Sequence, residues 1–143
     1  MSAHVEALKA LVPNGIAAYD STVPVKRDTN GKPILPPMPY AFIEAPEMRE
    51  RAPFLDETVK DIDDYFTLRV VGDGIEQARW ATGMCRLAFD NAEPDVDGFA
   101  ARVNLNATSP FIADQDVTLP SGEHPTFSAD HYRYRARPTT TGS

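Results

Sequence analysis

The chain has 143 residues, 42% of them hydrophobic and 24% charged, which suits one globular domain and leaves too little material for two independent cores. Its net charge of −7 argues against a protein that grips nucleic acid, since affinity there comes largely from neutralised phosphates; an acidic wall past which DNA slides remains compatible with it. The single cysteine, Cys85, excludes an internal disulfide and a multi-cysteine zinc site, and no run approaches the roughly 18 apolar residues of a membrane span.

The first residues, MSAHVE, lack a basic segment followed by an apolar core, so no signal peptide is expected and synthesis and first folding in the cytoplasm follow. Residues 2–11 predict a short helix: Val5, Leu8, Leu11 and Val12 fall near helical spacing, and Pro13-Asn14-Gly15 stops it. Residues 16–19 and 23–25 are short apolar runs that suit strands. Residues 26–39 (KRDTNGKPILPPMP) hold four prolines and an Asn-Gly turn signal, which leave no helix or central strand available. Ile34, Leu35 and Met38 lie on this proline-stiffened arm, and apolar side chains there need a cover, either the chain's own core or a partner.

Residues 40–44 (YAFIE) predict a strand ended by Ala45-Pro46, and residues 47–60 a second loop of mixed charge around Pro53, Phe54 and Leu55. Residues 61–71 (DIDDYFTLRVV) form the strongest strand signal, with Phe66, Leu68 and Val70 alternating with Tyr65, Thr67 and Arg69. Gly72-Asp73-Gly74 then turns into an amphipathic helix over 75–91. Its apolar stripe is Ile75, Ala78, Thr82, Cys85 and Phe89, with Ala81, Met84 and Ala88 beside it and Glu76, Arg79 and Arg86 pointing away. Further strands are expected over 98–106, 111–119 and 125–137, with a turn at Pro120-Ser121-Gly122. The last strand places Phe127, Ala129, His131, Arg133 and Arg135 on one face and Ser128, Asp130, Tyr132 and Tyr134 on the other. This order predicts an α+β fold: a mixed, mainly antiparallel sheet with two helices on one face and extended loops, one domain over 1–137 and a disordered tail over 138–143.

Each catalytic constellation is weak. Cys85 with His124 or His131 could serve as nucleophile and base, but Cys85 lies on the apolar stripe, where a small buried residue is expected. Asp56, Glu57, Asp61, Asp63 and Asp64 lack the ligand pattern of a calcium loop and read as a solvated loop and strand entrance. His4, His124 and His131 have no metal-ligand spacing, and Gly72-Asp73-Gly74 lacks the Lys-Ser/Thr of a phosphate loop. The Tyr-Arg ladder at 132–135 is expected at an exposed sheet edge or a subunit contact. The residues themselves indicate no enzyme, cofactor or metal, and point instead to protein–protein binding.

The segments HVEALKALVPNG, PPMPYAFIEAP, DYFTLRVVGDGIEQARWATGMCRLAFD and TFSADHYRYRAR, in that order, resemble the tail terminator (tail-completion) proteins of long-tailed bacteriophages. The resemblance spans about residues 1–137 and rests on the order of elements. It implies a small α+β structural subunit that closes into a ring, usually a hexamer, on the head-proximal end of the virion's tail tube. There the ring ends tube polymerisation and offers a docking surface to a head-completion or connector protein, while DNA passes through the central hole. A head–tail connector or stopper and a tail-tube subunit are the neighbouring readings, and a small cysteine-dependent enzyme the reading from another class. No catalytic position is carried over. The expected assembly contacts are Ile34, Leu35 and Met38 in one loop and Arg49, Arg51 and Phe54 in the other.

Overall fold

The computed structural model describes residues 3–20, 26–31, 33–45 and 61–139. Chain order is α1 (Ala3–Lys9), β1 (Ala17–Asp20), β2 (Lys26–Arg27), β3 (Pro33–Ile34), β4 (Tyr40–Glu44), β5 (Ile62–Gly72), α2 (Ile75–Phe89), β6 (Asp95–Val96), β7 (Phe99–Thr108), β8 (Ile112–Ala113) and β9 (Thr126–Pro138). The main sheet runs β1-β4-β5-β9-β7-β6, with β8 also on β9, and only β1 against β4 is parallel. This is the expected α+β architecture. The strand expected over 23–25, the loop over 47–60 and the tail beyond Thr139 lie outside the described residues; Pro138 belongs to β9, and the Thr139 N–H donates to Gly98 O at 3.0 Å.

The alternation in β5 does what the sequence requires of it. Ile62, Phe66, Leu68 and Val70 enter the core, together with Ala41 and Ile43 of β4, Val103 of β7 and Tyr132 and Tyr134 of β9. Helix α2 covers this inner face with Ala81, Cys85 and Phe89, and α1 adds Val5 and Leu8 on the same side. Phe66, Phe89 and Tyr132 pack ring against ring, with centroids 5.4 to 6.2 Å apart. Gly72 lets α2 approach the sheet: a Cβ there would lie 2.5 Å from the Ala78 backbone nitrogen. Asn91 closes the helix with φ of 63°, the left-handed conformation that asparagine tolerates at helix ends.

Four expectations need correction. Ile75 is 40% exposed, so it is not part of the buried stripe of α2. Arg86 does not simply point away, because it turns back to the buried Asp130. The strand expected over 111–119 contracts to Ile112–Ala113, since Asp114 starts a turn in which its carboxylate accepts the Asp116 N–H at 3.1 Å. The Tyr-Arg ladder is not at a sheet edge: β9 lies between β5 and β7, and Tyr132 and Tyr134 are fully buried. Three short strands lie outside the expected set: β2 and β3, which pair within the proline-bearing arm, and the two-residue β6, which forms a hairpin with the start of β7 through Gly98 at φ of 80°.

The β7 edge is partly closed by the loop after α2. The Val103 N–H donates to Ala92 O and the Leu105 N–H to the Asp90 carboxylate, both at 2.9 Å. A register shift after Leu105 leaves Asn106 unpaired, which further blunts the edge as a template for another strand. Among the described residues no helix is long and apolar enough to cross a membrane.

Candidate assembly surface

The sheet's outer face, away from both helices, has two parts. At one end Tyr40, Phe42, Val71 and Phe127 form an apolar floor; β4–β5 and β5–β9 pairing puts them side by side. Farther along, the face is polar. Arg69 pairs with Glu44, Thr67 Oγ1 meets His131 Nδ1 at 2.9 Å, and Arg133 donates two hydrogen bonds to Asp63 at 2.8 and 2.6 Å. These pairs are exposed, and each contributes little to stability.

The proline-bearing arm rises beside the apolar floor. β2 and β3 form a two-stranded ribbon closed at Asn30-Gly31, where Gly31 has φ of 78°. The Asp28 carboxylate accepts the Asn30 N–H at 2.8 Å, and the Arg27 guanidinium donates to Gly31 O at 2.9 Å. The arm returns through Leu35, Pro36 and Met38 to the cis Met38–Pro39 bond and β4. Facing it is the loop between β8 and β9, pinned by His124 Nδ1 at 2.7 Å from Val117 O and by the Leu119 N–H on Glu123 O at 2.8 Å.

Arm and loop enclose two adjoining grooves. One, about 630 Å³, is lined by Ile34, Leu35, Pro36 and Met38 on one side and residues 117–121 on the other, with Asp28 and Asp73 at its rim. The second, about 310 Å³, runs between Leu35 and Val117 down to Tyr40, Phe42, Val71 and Phe127, with Arg69 and Asp114 at its margin. Burial, reinforced by Asp114 and Tyr19, raises the Tyr40 hydroxyl above its ordinary range, so it stays neutral.

Ile34, Leu35 and Met38, expected as assembly contacts, lie together on one wall of the groove. Ile34 is 48% exposed, while Leu35 and Met38 are half-buried. Arg49, Arg51 and Phe54 lie outside the described residues. The opposing wall, Val117 to Leu119, falls within the strand expected over 111–119, and its one sequence signal as a loop is the Pro120-Ser121-Gly122 turn.

The other candidate constellations separate. Cys85 has no exposed surface, and burial, then Asp130, push its thiol up to about 12. It faces the core, whereas His131 lies on the outer face and His124 bonds Val117, so no nucleophile–base pair forms. Of the acidic cluster, Asp56 and Glu57 lie outside the described residues and Asp63 is engaged by Arg133. Among the described residues no group of three or more His, Cys, Asp or Glu side chains could hold a metal ion.

No protein-family model and no curated protein matches the sequence. Among solved structures, the chain is similar to a chain in the virion of a native gene transfer agent particle, at 16% identity and a TM-score of 0.54. The likeness covers 91% of this chain and 84% of that one, and it shows that this α+β fold is one a virion chain also has.

Proposed function

We propose that the protein is a structural subunit of a phage-like virion, and that within it the chain is a tail terminator. A ring of copies, a hexamer on the family pattern, caps the head-proximal end of the tail tube, ends tube polymerisation and offers its free side to a head-completion or connector protein. The chain assembles in the host cytoplasm, performs no catalysis and lets DNA pass without specific binding. The observation that carries this reading is the likeness over 91% of the chain to a virion chain, joined to the order of elements that resembles the terminator family.

The outer-face grooves support it physically. An apolar floor bounded by the arm and the 117–121 loop is a surface suited to another protein. The net charge of −7 suits a passage that repels the DNA backbone. A tail-tube subunit or a head–tail connector would draw on the same fold likeness. Stoichiometry separates the first of these: sedimentation of the purified chain should give one closed ring of fixed mass, whereas a tube subunit grows into long cylinders.

A further inference from the structure

Helix α2 turns one apolar stripe to solvent. Trp80 and Leu87 stand two turns apart on one side of the helix, 51% and 83% exposed. Gly83 lies between them with open space around it, and the half-exposed Trp80 ring extends toward Gly15, so the two side chains form a low apolar ridge. Exposed Arg79 flanks Trp80 and has no carboxylate partner among the described residues. A lone exposed leucine carries no information. A tryptophan and an arginine are residue types enriched at interface centres, and Leu87 extends the apolar surface beside them.

The other side of the same sheet carries the inverse shape. Its grooves are apolar along Leu35, Phe42, Val117 and Phe127; Arg69 at the margin is paired with Glu44, and the remaining rim charges, Asp28, Asp73 and Asp114, are acidic. Because α2 packs on the inner face and the grooves open on the outer face, ridge and groove cannot meet within one chain. They match in polarity, and Arg79 on the ridge opposes the charge of the rim.

We propose that the Trp80 ridge of one copy seats in the groove between Leu35 and Val117 of the next, with Arg79 against the acidic rim. Unlike surfaces meeting head to tail generate rings when the rotation closes. The inference rests on the ring reading and deepens it by naming the two surfaces that join neighbouring copies.

The test uses two full-length variants, Gly83→Cys beside the ridge and Thr118→Cys at the groove, with a short thiol-specific bis-maleimide. Native Cys85 is buried and stays silent. Mixing the two variants should give a cross-linked heterodimer, while Gly83→Cys alone gives none. In the otherwise unaltered chain, Arg79→Glu and Trp80→Ala should each weaken self-association at least about tenfold with unchanged circular dichroism, as expected for centre residues. A Gly83-to-Gly83 product, or no mixed product with or without tail tubes present, overturns the inference. Ring-capped tubes without the mixed product would leave the terminator reading standing; loss of both would remove it as well.

Discussion

Arg86 on α2 donates two hydrogen bonds, at 2.8 and 2.9 Å, to the Asp130 carboxylate on β9, which has no exposed surface. The pair ties the helix to the central strand, and its bidentate geometry raises the arginine further above its ordinary value. Replacing Arg86 with alanine leaves Asp130 buried and uncompensated. The expected loss is about 2–4 kcal/mol, below the usual figure for breaking a buried pair because the guanidinium is partly exposed. The double variant Arg86→Met, Asp130→Leu should recover most of it. Urea unfolding of the three chains checks both statements.

Two adjacent buried tyrosines should respond in opposite directions. Tyr134 hydrogen-bonds His4 Nδ1 at 2.6 Å, so Tyr134→Phe should cost about 1–2 kcal/mol by removing that buried bond. The Tyr132 hydroxyl is buried with no protein partner among the described residues, so Tyr132→Phe should be neutral or stabilise by about 1 kcal/mol. Thermal or chemical denaturation of the pair reads the difference directly.

Two glycines make a second contrast. Alanine at Gly72 would drive its Cβ into the Ala78 backbone and cost about 1–3 kcal/mol through overpacking. Alanine at Gly83 meets nothing and removes a flexible residue from a helix interior, a gain of about 1 kcal/mol. Equal effects at the two sites would contradict the close approach of α2 to the sheet.

Alkaline pH should unfold the protein through its buried acids. Cys85 is pushed from its ordinary 9.0 up to about 12 by burial, and Tyr132 and Tyr134 are raised for the same reason. The folded state therefore holds these protons more tightly than the unfolded chain. Their contribution is fully present below pH 9.0 and is lost as pH rises toward about 12. A stability profile over that window should fall, and Cys85→Ala should flatten the part that begins near 9.0. Native-state alkylation of Cys85 should be slow at neutral pH and fast in denaturant.

Strand β5 and helix α2 were legible because a two-residue alternation and a helical stripe each have one apolar face. Strand β9 was legible in extent but not in orientation. Its inner face carries Ser128, Asp130, Tyr132 and Tyr134, a polar set that suits burial because Thr82, Arg86 and His4 on two helices hydrogen-bond three of them. Those pairings span 44 to 130 positions along the chain and leave no local trace. The candidate surface was half legible for a similar reason. Prolines mark the arm that holds Leu35, whereas Val117 joins it only once the turn at Asp114 has replaced the expected strand.

The most direct test of the account is electron microscopy of growing tail tubes with and without the purified chain. The account predicts a single ring on one end of each tube and an arrest of elongation. Tubes that keep growing with bare ends, or incorporation of the chain along their length, would contradict it.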